Sequence, residues 1–446
     1  MKRTLHSPAR PTQVKKAVVI GAGLAGMMAA RVLADHCDSV LVIEKDKLTG
    51  PEPRKGVPQG NHIHLLWSVG STILENLFPG LFEDLAAAGG VAFDNSADMR
   101  WYHGGVWKMK TNSSLRIYSQ SRPLLEYQVR QKLLQHDNVH FEQAAVTGIH
   151  VENGRASGVA VRKPDGAESD IAAELVVDAS GRAARLPKWL AGHGYSKPET
   201  QELNVNLRYA SRLYERKDVQ DWTCMAVYAR PSSSKKYGVI FPIEGNRWIV
   251  TFGGCFGDHP PTDEEGFLEF ARSLEQPDIY EAIRDAKPLS DISGYQYLTE
   301  IWRRYDKQRN LPGGLVVIGD ALCSFNPLYG QGMTVAALEA TALDQCLRAG
   351  SSLRSYYTET AKVIRNPWML ATGNDLLYPD ATGKRPFWVE PLGHYTDRVL
   401  RLSESHPGVH QAFLNVLHLA KPPSHLFRPD ILAAVMFSPQ ANARPK

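Results

Sequence analysis

The stretch Ala17-Val18-Val19-Ile20-Gly21-Ala22-Gly23-Leu24-Ala25-Gly26 decides the fold. Its four apolar, mostly β-branched residues read as a buried parallel strand. A glycine-spaced turn follows, and residues 27–34 read as a helix. Gly21 permits the tight turn, Gly23 lets the backbone approach a pyrophosphate, and Gly26 lets the helix pack closely on the strand. Leu24 and Ala25 stand at the helix N-terminus, which faces the anion. A second strand, residues 40–43, ends at Glu44, 18 residues after Gly26. An acid there can accept hydrogen bonds from an adenosine ribose. Glycine spacing alone is a common turn. Strand, turn, helix, strand and acid in register predict a dinucleotide site.

The bulk properties narrow the class. At 446 residues the chain can bury a large core and form two or three domains. Fifty-one basic and 47 acidic residues give a net charge of +4, too balanced to predict a nucleic-acid partner. Five scattered cysteines show no metal spacing and read as reduced thiols, which suggests a cytoplasmic protein. The N-terminal tail is polar and basic, unlike a signal peptide. Residues 17–34 are apolar, but three glycines and strand-turn-helix punctuation argue against a transmembrane segment. His62 and His64 could be ligands on a strand. Without a third ligand, polar packing beside a loop is the plainer reading, and no metal is expected.

Further along, residues 91–117 are aromatic-rich and alternating, as in antiparallel strands. Ser121 reads as the N-cap of a helix with apolar residues recurring at Leu125, Val129 and Leu133. Asn153-Gly154 and Asp165-Gly166 mark hairpin turns. Residues 173–178 form a second buried strand closing on Asp178, and residues 314–320 a third, Gly314-Leu315-Val316-Val317-Ile318-Gly319-Asp320. Between them, residues 204–254 predict a broad antiparallel sheet and residues 262–285 a helix. Residues 323–334 read as a loop and 335–347 as a helix. The last hundred residues look helical and end in a Pro-rich tail. The dinucleotide segments lie near residues 20, 180 and 320, so the domains should interleave. No second GxGxxG offers a separate nicotinamide domain.

The three segments together resemble the flavoprotein monooxygenases of the aromatic-hydroxylase type, over most of residues 15–350. Asp178-Ala179-Ser180-Gly181 is similar to a variant of that family's Asp-Gly fingerprint, and Gly319-Asp320 to its Gly-Asp fingerprint. Asn326-Pro327-Leu328-Tyr329-Gly330-Gln331-Gly332-Met333-Thr334-Val335-Ala336 is instead similar to squalene epoxidases and to bacterial epoxidases of polyene polyketides. Cys323 stands near the place where aromatic hydroxylases usually carry a His. The resemblance implies an α/β fold, α+β overall: a Rossmann-like FAD-binding domain interleaved with an antiparallel-sheet substrate domain, and a helical C-terminal region. The expected division is a flexible tail (1–14), an FAD-binding domain (15–90, 118–195 and 296–365), a substrate domain (91–117 and 196–295) and a helical region (366–446).

The same resemblance implies tightly but non-covalently bound FAD and NAD(P)H as electron donor, directly or through a flavin reductase. Glu44 and Lys45 would lie at the adenosine ribose, Arg54 and Arg122 toward the phosphates or flavin, and Val146 at the adenine through its backbone. Asp320 would take the ribityl and pyrophosphate region, and Pro327, Gly330, Gly332 and Met333 the flavin. Arg122 could instead pair with Glu126. The implied chemistry is oxygen transfer from dioxygen through a flavin hydroperoxide to a small apolar organic substrate of secondary metabolism. An alkene needs no dedicated base, so no catalytic residue is named. Hydroxylation of an aromatic or polyketide ring, or reduction of an isoprenoid double bond, are the alternatives. The Trp-x-Trp-x-Ile signature of flavin halogenases is absent. Tyr228, Tyr237, Phe241 and Phe252 are candidate substrate-lining residues, with core packing as the alternative for each.

Overall fold

The structure is a computed structural model, and it describes residues 14–217, 221–228 and 230–438. The expected flexible N-terminal tail, save Val14, and the Pro-rich end lie outside the described residues. The chain runs β1 (Val14–Ile20), α1 (Leu24–Ala34), β2 (Cys37–Glu44), α2 (Ser68–Leu77), α3 (Leu81–Ala87), β3 (Val91–Asp94), β4 (Met99–His103), β5 (Val106–Trp107) and β6 (Arg116–Ser119). Next come α4 (Arg122–Leu133), β7 (Val139–Gln143), β8 (Ala145–Glu152), β9 (Arg155–Arg162), β10 (Glu168–Ala172), β11 (Leu175–Asp178) and α5 (Leu186–Gly192). The middle holds β12 (Thr200–Glu215), β13 (Cys224–Tyr228), β14 (Lys236–Ile243), β15 (Arg247–Gly254), α6 (Glu264–Arg272), α7 (Asp278–Ile283) and β16 (Ser293–Arg303). The last part is β17 (Leu315–Val317), β18 (Cys323–Ser324), α8 (Gly332–Arg348), α9 (Leu353–Asp375), α10 (Val389–Leu402), α11 (Pro407–Leu417) and α12 (Pro429–Phe437).

Five of these strands make a parallel sheet in the order β17-β11-β1-β2-β7. Ile20 pairs with Ile43 on one side and Asp178 on the other, and Asp178 pairs with Val317. The three dinucleotide segments therefore end side by side on one sheet edge. Burial on both faces explains the unbroken apolar runs: Val18, Val19, Val40, Val42, Val176, Val177, Val316 and Val317 are all buried. Helix α1 seals one face with Leu24, Met27, Met28, Val32 and Leu33. Each such side chain contributes roughly 1.5–3 kcal/mol.

The second large sheet has eight strands, β18-β16-β12-β15-β14-β13-β4-β5, antiparallel except where β13 runs parallel to β4. Its two faces differ. Trp248, Val250 and Phe252 point toward α6 and α7, while Tyr209, Ser211, Tyr237 and Thr251 point back toward the parallel sheet's loops. The five cysteines are all buried and unbridged. No helix among the described residues is long and apolar enough to cross a membrane.

Two element expectations need correction. Residues 262–285 form two helices, because Pro277 has no N–H to donate and restricts the residue before it. Residues 323–334 are more ordered than a loop: β18 is followed by a 3₁₀ turn at Pro327–Tyr329, and α8 begins at Gly332 rather than at 335. The β1–α1 packing admits no extra atom. A Cβ on residue 26 would lie 2.0 Å from the Gly21 carbonyl oxygen. Gly26→Ala is expected to cost about 2 kcal/mol or more through overpacking, read as a thermal midpoint lowered by several degrees.

Candidate active site

Two helix N-termini open on one cleft. Gly23, the N-cap of α1, and Gln331, the N-cap of α8, offer no side-chain acceptor to the first-turn N–H groups. Those donors need an outside partner. A Cβ on Gly23 or Gly332 would meet nothing within 4 Å, so both positions border open space. Gly21 holds its turn at φ +100, and a Cβ there would lie 2.6 Å from the Ala179 carbonyl oxygen. The turn that follows Gly319 fits against Ala25, with a virtual Cβ at 2.7 Å. Leu24 is buried beneath.

Charged groups line the cleft in sequence. Glu44 accepts from the Ala22 N–H at 3.0 Å and the Asp46 N–H at 3.1 Å, and pairs with Arg54 at 3.1 Å. Arg54 also binds Glu126, which Arg122 holds at 2.7 Å. Burial would raise the Glu126 carboxyl, but Arg122 and Arg54 outweigh it and hold it below its usual range. Arg122 thus forms the ion pair with Glu126 and also reaches the Met333 sulfur at 2.7 Å. Arg54 is a half-buried bridge between two carboxylates and not a solvated loop charge. Lys45 is exposed, its stem packed over Gly56. Ala144 donates to the Glu44 carbonyl, which sets Val146 two residues beyond the end of β2.

Asp320 lies at the floor. Solvent reaches it, yet protein surrounds it, and no donor among the described residues reaches its carboxylate. Burial pushes its carboxyl up, while Arg122, Arg182 and Arg303 pull it down. The Arg182 guanidinium stacks on Tyr297 at 3.9 Å and donates to the Thr299 carbonyl at 2.6 Å. Beneath, the wholly buried Glu339 of α8 accepts from the Gly319 N–H at 2.7 Å. Burial, unopposed by any cation, raises its pKa from 4.5 to about 8. Asp178, by contrast, is turned inward, where Oδ1 accepts from the Ser180 N–H and hydroxyl.

Above the cleft stands the aromatic face of the large sheet. Tyr228 stacks on Tyr237, centroids 5.8 Å apart, and Tyr209, Tyr295 and Tyr297 adjoin them. Leu328, Leu376, Leu377 and Trp388 close the same space from the 3₁₀ turn, the end of α9 and the start of α10. Phe241 lies farther along that face, packed with Phe93 and Trp67. Phe252 does not belong to the wall. Strand alternation points it the other way, into the core against Phe267 at 4.6 Å. His62 packs edge-on against Tyr209 at 4.5 Å, and its Nδ1 lies 2.7 Å from the Ser211 hydroxyl, itself 2.6 Å from Thr251. Burial, with His64 adding to it, lowers the His62 pKa to about 3, so the ring is neutral. Pro327 and Gly330 (φ +62) shape the turn, and Gly330 packs on Leu65 and Trp67. A wider cleft at the opposite ends of the parallel strands, lined by Arg31, Arg155, Arg309 and Tyr357, includes none of these residues.

The sequence reading missed Arg182, Glu339, Tyr209, Tyr295 and Tyr297. Arg182 directly follows a recognised turn, and its charge was the available signal. Glu339 reads as an ordinary helix residue, since only the packing of α8 under Gly319 makes it buried.

A family model described as FAD binding domain matches residues 14–365. The chain belongs to this family. It is an enzyme of the FAD-dependent monooxygenase superfamily. A Mycobacterium tuberculosis protein, Rv3254, is 35% identical over 419 residues, covering 89% of this chain and 88% of its own. Squalene epoxidase 1 of Arabidopsis thaliana is 25% identical over 382 residues, covering 81% of this chain and 66% of its own. Among solved structures, the flavin-dependent brominase Bmp2 superposes with a TM-score of 0.66 at 18% identity, over 90% of this chain and 92% of its own. The p-nitrophenol 4-monooxygenase of Pseudomonas putida superposes at 0.65 and 14% identity, over 91% and 97%. These two likenesses concern the fold.

FAD fits the donor set of the flavoprotein's cleft. The uncapped α1 terminus and the space beside Gly23 suit a pyrophosphate. The unpartnered Asp320 carboxylate suits ribityl hydroxyls, and the α8 terminus suits the electron-rich end of a flavin. Gly23→Ala is expected to leave the apoprotein's melting unchanged while weakening FAD binding on titration, because the new methyl enters ligand space. Asp320→Ala should purify largely without yellow colour; full flavin occupancy would remove Asp320 from the site. Glu339 gives a pH signature. Its folded pKa lies above its unfolded one, so its ionisation opposes folding, and stability should fall as pH rises from about 4.5 to about 8. Melting curves of Glu339→Gln should lack that component.

Proposed function

We propose that this flavoprotein epoxidises an apolar alkene or polyene in the cytoplasm, using FAD, dioxygen and NAD(P)H. The observation that carries the reading is the neutrality of the wall over the α8 terminus. Burial raises the hydroxyl pKa values of Tyr209, Tyr228, Tyr237, Tyr295 and Tyr297, so all five stay protonated. Burial, with His64 adding to it, lowers the pKa of the neighbouring His62 to about 3, which makes its ring a poor proton acceptor. A phenol would gain from a base able to take its proton. An alkene needs only orientation and the exclusion of water. Similarity to a squalene epoxidase supports the same substrate class.

Bound FAD, once reduced by NAD(P)H, supplies one oxygen atom from dioxygen, the other leaving as water. The protein's own share is placement. Glu44, Arg54 and the α1 terminus would hold the adenine half, and Asp320 and Arg122 would orient the rest. The tyrosine face, Leu328, Leu376 and Trp388 would press an apolar chain against the reactive end and keep water out. The test is a turnover experiment with reduced holoenzyme, isotopically labelled dioxygen, and a panel of polyenes and phenols. Epoxide carrying one labelled atom is the expected product. A labelled catechol or ring alcohol would replace this reading with hydroxylation, and a saturated, unlabelled product with double-bond reduction.

A further inference from the structure

Four segments meet under the 326–332 loop in a buried polar cluster that the functions above do not use. Asn326, wholly buried, opens the 3₁₀ turn, and its Oδ1 accepts from the Leu328 N–H at 3.0 Å. Its Nδ2 donates to Asp375 Oδ2 at 2.9 Å, and its backbone N–H donates to Glu300 Oε1 at 2.8 Å. Tyr329 donates its hydroxyl hydrogen to Asp375 Oδ1 at 2.6 Å and accepts from Asn374 Nδ2 at 2.7 Å. From the opposite side, Trp67 Nε1 donates to the Tyr329 carbonyl at 3.2 Å. Asp375 is the last residue of α9 and Glu300 lies in β16; exposures are 1% and 0%. The loop is thus clamped by two carboxyl groups from outside its own segment.

Neither carboxyl group forms a salt bridge among the described residues. Two unpaired anions this close in a dry interior would repel strongly. Burial, and Asp375 beside it, raise the Glu300 carboxyl well above its ordinary range. Burial raises Asp375 only to about 6, because Tyr329 and Asn326 donate to it. Near neutral pH Glu300 is therefore the protonated member and Asp375 the anion. The other titratable groups facing the pair are Tyr297 and Cys323 around Glu300, and Cys255, Tyr329 and Tyr378 around Asp375. Burial raises every one of them, so they add no charge.

We propose that Asp375 is a positioning residue for the flavin: through Asn326 and Tyr329 it fixes the 326–332 loop, and its negative charge at the foot of that loop lowers the flavin's reduction potential. The proposal rests on FAD occupying the cleft described above. Reduction adds negative charge to the bound flavin, and a fixed anion behind the loop opposes it. The same anion, holding two donors of the loop, keeps the α8 terminus aimed into the cleft.

Asp375→Asn removes the charge and keeps the shape: the amide oxygen can still accept from Asn326, and the Tyr329 hydroxyl can turn. In holoenzyme, dye-equilibrated potentiometry should show the flavin potential shifted positive. A pH-dependent change in potential and flavin absorbance, centred near pH 6 in the natural protein, should vanish. Asp375→Ala should weaken FAD binding on the order of tenfold, the loss of charge-assisted hydrogen bonds, with apoprotein circular dichroism unchanged. Unaltered potential and pH response in Asp375→Asn would overturn the electrostatic role. Natural FAD affinity and spectrum in Asp375→Ala would overturn the positioning role. A natural chain that takes up no FAD would overturn the site assignment itself, and the proposal with it, a result distinct from either variant's.

Discussion

The structure depends on one close approach, that of α1 to the turn it leaves. Gly26 lies so near the Gly21 carbonyl that no side chain fits, and Gly21 in turn lies close to the Ala179 carbonyl. Three parallel strands therefore end level with one another, at Ile20, Asp178 and Val317. That alignment brings the α1 terminus, the Asp178 turn and Asp320 to one edge. Ligands of open parallel sheets sit at such carboxyl edges.

Electrostatics then divide the cleft. On the adenine side, charges alternate from Glu44 through Arg54 and Glu126 to Arg122, each buried charge paired. On the other side most buried acids are kept neutral or turned inward: Glu339 and Glu300 by burial, Asp178 by its own turn. Two acids stand apart: Asp375, to which Tyr329 and Asn326 donate, and Asp320, which solvent reaches and whose carboxylate has no partner among the described residues. A carboxylate free of protein donors at the mouth of the α1 and α8 termini is open to a ligand's hydroxyl groups, which is why it marks the site better than the acids turned inward around it.

The strands of the parallel sheet and the glycine turn after β1 were legible in the sequence because each is a local pattern, and the interleaving followed from the spacing of three such patterns. Strand runs, glycine spacing and a terminal acid fall within thirty residues of one another. The α6–α7 break was legible in principle, since Pro277 announces it. Phe252 was not separable from Tyr237 by composition; only strand register decides which face a residue takes. Glu339 and Asp375 were illegible for a different reason. Each becomes special through a contact with residues far along the chain, Gly319 for the first and Asn326 and Tyr329 for the second. For Arg122 the structure shows the pairing with Glu126 that the sequence offered as its alternative.

The order of the strands also bears on how the chain is made. β1, β11 and β17 are neighbours in space, yet they begin at residues 14, 175 and 315. Their pairing closes long loops, and non-local pairing of this kind makes folding slow. A ribosome that has released only the first half of the chain has exposed β1 and β2 without the strand that completes the Asp320 edge. The glycine turn is synthesised before β11, β17 and α8, the elements that complete its surroundings. The cofactor cleft is thus a late product of folding, complete only when the chain past residue 332 has joined strands that emerged long before it.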